Sequence, residues 1–491
     1  MSLQRRTSAC PQPGTDAGGV DAPAVEAGPN THAVGGVVHF LQSVGALKLS
    51  NGTDTVSVTD AGAFAFPKRV ADGDPYDVKI VANPSGQRCS LRTAGAGTAK
   101  ADVSVTIGCT LARVASSPAG ADVSTTSATF ADITSLPAVT FTTDVASNVL
   151  VALSLGALRG DGTNGSGLGA TVGIDVDGTV TAQGHHAIAY FALHHSFATF
   201  EVVPVPAGTH TIKARWKADA GATSSISNGY TNNLSAVVLE SLASFVTAKS
   251  TASALTASIT STADAPFGLS DLNVTAPNGS LLALLHVPSA TGTGDGGAFQ
   301  LSVSGTKVAS AATLGCGAFD FTYSPAVLAP VVAGAQTVSL RWAALGASNF
   351  KLVGAQTRMD AIAFDASAAG KSVSATGDFS VPSTTSTAIP SLGTVALKPA
   401  ADSQALVILQ ADTTYTEGNG SPGVITLDMD GATLGQAFVQ SQNSSCARPA
   451  TIFVVTPVKA GTRTFTGKMN VLSGQPIHVS RLTTLSAMLL E

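Results

Sequence analysis

Four histidines offer the densest chemistry in the chain: His185, His186, His194 and His195 lie on two neighbouring segments. Imidazoles packed this closely could ligate zinc or nickel. Adjacent residues of a strand point to opposite faces, so at most one of each pair can share a site; exposed strand ends or a domain contact would use the same residues. Oxygen ligands gather in three glycine loops, Gly160 to Gly165 (GDGTNG), Gly292 to Gly297 (GTGDGG) and Gly418 to Gly423 (GNGSPG). On or beside them, Asp161, Asn164, Asp295, Glu417 and Asn419 could bind calcium or a sugar hydroxyl, and a solvated turn favours the same residue types. All three loops satisfy G-x-G-x-x-G, but none opens a helix in a βαβ unit, which excludes a dinucleotide site. The expectation is three hairpin tips.

Other matches carry less. Arg159-Gly160-Asp161 spells an integrin tripeptide in three letters. Ser304-Gly305-Thr306-Lys307 fits S-x-x-K, yet it occupies a turn that reads Asp177-Gly178-Thr179-Val180 and Asp430-Gly431-Ala432-Thr433 elsewhere, without the helix that chemistry uses. The sequence contains no H-E-x-x-H, G-x-S-x-G or C-x-x-C. Glu240, Asp365 and Glu491 are acids shared at strand ends and make no constellation for glycoside hydrolysis. A net charge of -5 gives no reason to expect nucleic acid.

What must position these residues is a repeat. Ala207 to Trp216 reads AGTHTIKARW, Ala333 to Trp342 AGAQTVSLRW, and Ala460 to Met469 AGTRTFTGKM. Gly208, Gly334 and Gly461 are 126 and 127 positions apart, a period of whole domains rather than of a solenoid. Ile212, Ala214 and Trp216 alternate with Lys213 and Arg215, so the motif is a strand with one core face and one wet face. Trp216, Trp342 and Met469 are the equivalent core residues. A mid-domain turn (Gly178, Gly305, Gly431) and an earlier apolar strand (from Val149, Leu281 and Ala405) recur in the same order. Fifty glycines and only 12% charged residues suit short strands joined by small-residue turns.

The fold class is therefore all-β. The segments are a tail over 1–31, a small β-sandwich over 32–112, and sandwich repeats over 113–241, 242–366 and 367–491. The last strand of each repeat, LSAVVLE from Leu234, MDAIAFD from Met359 and LSAMLLE from Leu485, is apolar on both faces. One face must serve its own core; the other, with Ala236, Ala361 and Ala487 in register, suits packing against another domain. Three repeats around a common axis and three beads on a string both satisfy this.

Of five cysteines, Cys89 and Cys109 stand twenty residues apart in one small region, which favours a local disulfide and an oxidising compartment. Cys316 and Cys446 fall at similar places in repeats two and three, as a bond between repeats or as two buried thiols. No apolar run is long enough for a transmembrane helix, and MSLQRRTSAC lacks the apolar core of a secretory signal.

Three resemblances add to this. Cys10 to Asn30 (CPQPGTDAGGVDAPAVEAGPN) resembles the tether after the lipidated cysteine of bacterial lipoproteins, which would make Cys10 a lipid anchor; Thr7-Ser8-Ala9 lacks the usual leucine. The phrases GAFAF from Gly62, DGDPY from Asp72 and PSGQRC from Pro84 resemble an immunoglobulin-like module of bacterial surface proteins, implying a spacer with Cys89 paired to Cys109. The strand order and two-faced closing strand resemble jelly rolls of the tumour-necrosis-factor and C1q type, implying a single-chain pseudotrimer. The resulting expectation is a non-enzymatic, extracellular or outer-surface bacterial protein, structural or adhesive, with a protein or glycan partner and no cofactor beyond a candidate calcium or zinc ion. A carbohydrate-binding array is the alternative, disfavoured by 5% aromatics. A glycan-active hydrolase is the third.

Overall fold

The computed structural model describes residues 30–490 except 43–44, 86, 118–121, 162–168, 188–193, 243–244, 253–257, 294–295, 314–320, 347, 353–356, 366–369, 418–420 and 441–446. The alternation in the Ala-Gly motif becomes the strands Gly208–Ala218, Gly334–Ala344 and Arg463–Val471. Trp216, Trp342 and Met469 are at most 5% exposed, and each anchors a separate core cluster.

A second device recurs beside each motif. Asp177-Gly178, Ser304-Gly305 and Asp430-Gly431 have positive φ at both residues, between 47° and 89°, as a two-residue hairpin turn matched to strand twist demands. The first residue of each turn locks onto the motif strand. Asp177 Oδ1 accepts the Thr211 N–H at 2.8 Å, Asp430 Oδ1 the Thr464 N–H at 2.8 Å, and Ser304 Oγ the Thr337 N–H at 3.4 Å.

Around these hairpins each repeat winds as a jelly roll. In repeat one the first strand, Ala112–Ser116, pairs with the eighth, Asn232–Val238; the eighth also pairs with the third, Ser147–Asp161, which pairs with the sixth, His194–Val205. The second strand, Val139–Thr143, pairs with the seventh, Gly208–Ala218, then come the fourth, Gly169–Val176, and the fifth, Thr179–Ala187. All these pairings are antiparallel, and repeats two and three have the same two sheets in the same order. Nested pairing of first with eighth, second with seventh, third with sixth and fourth with fifth defines the jelly roll.

This topology corrects one expectation. The third and fourth strands flank each glycine loop but belong to different sheets. The loops that carry Asp161, Asp295 and Glu417 are therefore crossovers between sheets, not hairpin tips. Each third strand is already paired on both edges, by the sixth and eighth strands, so the chain must leave that sheet to continue.

The closing strands bring a second correction. Leu234, Ala236 and Val238 lie in the core of their own sandwich, as do Ala361, Ala363 and Ala487. It is the opposite face that meets the other repeats: Val237 and Leu239, Ile362 and Phe364, Met488 and Leu490 share one cluster with Leu150, Leu282 and Leu406 of the third strands and Phe200, Leu328 and Phe453 of the sixth. The alanines sit inside because bulky rings and thioethers of the second sheet fill those cores; between sandwiches the inward sheets must supply the bulk themselves. The three repeats thus pack around a common apolar seam rather than as separate beads.

The N-terminal sandwich has two four-stranded sheets, one pairing Val34–His39 in parallel with Val103–Cys109. Cys89 and Cys109 face each other across neighbouring strands and form the disulfide. This sandwich docks on one pole of the three repeats: Leu111 N–H donates to Ser241 Oγ at 2.8 Å, Thr110 Oγ1 to the Leu490 carbonyl at 3.4 Å, and His39 pairs with Asp144.

Phe453 of repeat three is 1% exposed in the seam, while Trp216 and Trp342 are in repeats one and two. Phe453→Ala is expected to cost about 3–5 kcal/mol. In single-tryptophan backgrounds (Trp216→Phe or Trp342→Phe), urea denaturation read by fluorescence should show both reporters destabilised together.

Candidate functional site

The third strands, Ser147–Asp161, Gly279–Thr293 and Ser403–Thr416, have 15, 15 and 14 residues and run from the docked pole toward the glycine loops. At about 3.3 Å per residue they span about 45–50 Å. Their seam-facing residues change character on the way. Leu150 and Ala152 give way to Ser154, Leu282 and Leu284 to His286, and Leu406 and Ile408 to Gln410 and Asp412. The closing strands run the other way and match: Leu150 is opposite Val237 and Ser154 opposite Asn233, Leu282 opposite Ile362 and His286 opposite Arg358, Leu406 opposite Met488 and Gln410 opposite Thr484. The seam is apolar near the N-terminal sandwich and polar toward the loops.

At the transition every third strand has a register shift, between Leu155 and Leu158, Val287 and Ala290, and Ala411 and Thr414. A bulge bends a strand and re-aims its side chains. Gly156 sits in the first of these, where an added Cβ would lie 2.8 Å from the Tyr230 Cβ, 2.9 Å from the Thr231 carbonyl oxygen and 3.1 Å from the Gln436 carbonyl oxygen of repeat three. Bare backbone is needed for that approach.

The polar half of the seam is knitted between repeats. His286 donates from Nε2 to the Gln183 carbonyl at 2.9 Å, leaving Nδ1 to accept from Thr199 and Ser324, each at 3.2 Å. Ser310 Oγ donates to Asp412 Oδ2 at 2.6 Å, and Thr451 Oγ1 to the Ser324 carbonyl at 2.8 Å. Arg358, 2% exposed, donates to the Phe200 carbonyl and lies 3.7 Å from Glu201 and 3.9 Å from Asp360. Burial pushes Asp360 up to about 6 despite the attraction of Arg358, because these separations recover only part of the lost hydration.

The four histidines divide as strand alternation requires. His186 and His195 turn inward, with ring centroids 5.7 Å apart; His185 Nε2 meets Asp219 at 3.0 Å, and the His194 ring lies edge-on to Phe438 at 5.5 Å. Beside the inward pair, the Arg448 guanidinium stacks on Phe321 at 3.8 Å. Burial holds His186 and His195 well below the ordinary imidazole range, and the charge of Arg448 lowers both further. Burial also brings Arg448 down to about 9. Among the described residues no three His, Cys, Asp or Glu side chains form a metal-sized group.

The other expected site residues do not converge here. Glu417 is exposed and pairs with His478 at 2.8 Å, whose ring stacks on Tyr415 at 4.4 Å. Asp161 ends a strand, and Asn164, Asp295 and Asn419 lie outside the described residues, as do Cys10, Cys316 and Cys446. Sequence reasoning passed over Arg448, Arg358, Asp360, Asp412 and His286. Their signal was a charged or polar residue interrupting an apolar run, as in LLALLHV and ALVILQAD.

No family model and no curated protein matches the chain. Among solved structures it is similar to the STIV MCP at 9% identity and TM-score 0.19, over 50% of this chain and 97% of that one. PNGF-II is similar at 9% identity and TM-score 0.20, over 91% and 97%. The infectious bursal disease virus Gt strain structure is similar at 9% and TM-score 0.17, over 78% and 80%. Likeness at this level carries no argument about function; the jelly roll rests on the strand pairing itself.

His186, His195 and His286 are neutral when folded and take protons on unfolding below their ordinary 6.5, so stability is full above that pH and falls as pH drops through it. Each contributes up to about 1.4 kcal/mol per pH unit. Asp360 runs the other way: the folded state holds its proton up to about 6, offsetting one imidazole between there and 3.8. Melting temperatures are expected to fall from pH 7.5 to 5, and more steeply below 6 in Asp360→Asn.

Proposed function

We propose that the chain is a non-enzymatic bacterial surface or extracellular protein, a structural or adhesive head carried on an immunoglobulin-like spacer. The carrying observation is its polarity: the N-terminal sandwich docks at one pole, and the strands flanking all three glycine loops end at the other. A head of this kind holds its partner-binding loops away from its attachment. The common seam supports the reading by fixing three loop-bearing sandwiches as one body, an arrangement we liken to trimers of the tumour-necrosis-factor and C1q type. The Cys89–Cys109 bridge supports an oxidising compartment. Acids at the repeated turns serve structure: Asp177 and Asp430 are occupied by backbone N–H groups and by His210 and Arg463. In this reading Cys10 is the lipid anchor, and protein or glycan is the partner.

One observation favours glycan binding as a second reading. The Tyr415–His478 stack lies next to the exposed carboxylate of Glu417, an aromatic face beside a hydroxyl acceptor.

Trypsin applied to intact cells is expected to remove the chain from the cell-bound fraction; complete protection until lysis would refute surface display. Shortening 418–420 is expected to weaken binding on a matrix-protein panel about tenfold with an unchanged melting temperature. The same loss confined to a glycan array would select the second reading.

A further inference from the structure

The N-terminal sandwich reaches the repeats by two routes. Its last strand, Val103–Cys109, runs into the first strand of repeat one, Ala112–Ser116, through Thr110 and Leu111 alone, and both of these are buried. The second route leaves from the strand Val34–His39. Phe40 follows that strand with φ 60°, a backbone turn uncommon for a bulky residue. Its ring, 3% exposed, joins the core cluster of repeat one, with Leu111, Ile133 and Phe141, and not the core of its own sandwich. His39 and the Phe40 N–H both engage Asp144 of repeat one. Gln87 ties the two routes together: Nε2 donates to the Phe40 and Thr110 carbonyls, each at 2.9 Å, and Oε1 accepts the Gln42 N–H at 2.8 Å. The Cys89–Cys109 bridge, two residues along the chain from Gln87, holds that side chain against the linker.

Val34–His39 and Val103–Cys109 lie side by side and parallel, with Val34 opposite Val103 and His39 opposite Gly108. An added Cβ on Gly36 would collide with the Val105 carbonyl, so bare backbone lets the pair close at its middle. The chain enters this pair at Val34 and leaves it toward the repeats at Cys109, which is the opposite end. Tension between the N-terminal segment and the repeats therefore slides one strand along the other. The ladder bonds lie across that direction and must yield together, whereas strands drawn apart from one end lose them singly. We propose that Val34–Phe40 is a load-bearing strap, loaded in shear along Val103–Cys109 and anchored at its far end by the Phe40 ring in repeat one. The source of the tension rests on the surface attachment proposed above; the strap is a property of the fold, and its test does not need that attachment.

The deciding experiment is single-molecule force spectroscopy on the full chain. One handle is ligated to the N terminus and the other is attached at Ser473→p-azidophenylalanine, an exposed turn position between the last two strands of repeat three. The step that opens the N-terminal sandwich is recognised by reduction, which lengthens it by the 20-residue separation of the bridged cysteines, about 70 Å. Moving the second handle to Ala101→p-azidophenylalanine, beside the start of Val103–Cys109, draws the same pair apart from one end. The opening force is expected to fall several-fold in that geometry, and equal forces in the two geometries overturn the proposal. At constant force between the N terminus and position 473, Phe40→Ala is expected to shorten the lifetime of the closed sandwich about a hundredfold, with Phe40→Leu in between. An unchanged lifetime in Phe40→Ala would take the ring out of the load path and overturn its role as the anchor.

Discussion

The structure depends on strands that cannot be left bare on either face. Each closing strand and each third strand is apolar toward its own sandwich and apolar again on the reverse, so a lone repeat would expose Phe364 or Phe453 with its neighbours to water. Burying such rings is worth about 1.5–3 kcal/mol apiece. The cheapest cover is another copy presenting the same sheet, and three copies turned inward cover one another. The repeat period and the shared core are thus one constraint seen in sequence and in space.

Having closed that seam at one end with leucine, phenylalanine and methionine, the chain changes chemistry at the other. Bulges at equivalent places in the third strands lie next to the change, and around them the repeats hold one another through His286, Arg358, Gln410, Asp412 and Thr451. Apolar contact is tolerant of register, whereas a buried hydrogen bond has a single geometry. The apolar half supplies association and the polar half fixes how the sandwiches are rotated against each other.

Much of the fold was readable. The alternation about Trp216 and Trp342, the paired turn glycines and the two-faced closing strands reach the right strands because period-two patterning is a local property. What failed was knowledge of which sheet a strand joins. The glycine loops looked like hairpin tips because strands that flank a short loop commonly pair, and only the edges already taken by the sixth and eighth strands forbid it here. Ala236 looked like a contact residue for want of knowing that Trp216 lies in the same core cluster. For the candidate site, alternation separated His186 and His195 from their neighbours, but Arg448 joins them from more than two hundred residues away, and no local pattern announces that meeting.

Linking three sandwiches in one polypeptide frees them from identity. In an assembly of separate identical subunits, any side chain on the axis appears three times, and a buried arginine would bring two more positive charges into the same place. Here equivalent places carry Ser154, His286 and Gln410, and the Arg448 guanidinium of one copy lines the same cavity as imidazoles from another. A single polypeptide allows an asymmetric interior inside three sandwiches of the same strand order, and each copy can specialise without forcing the change on its siblings.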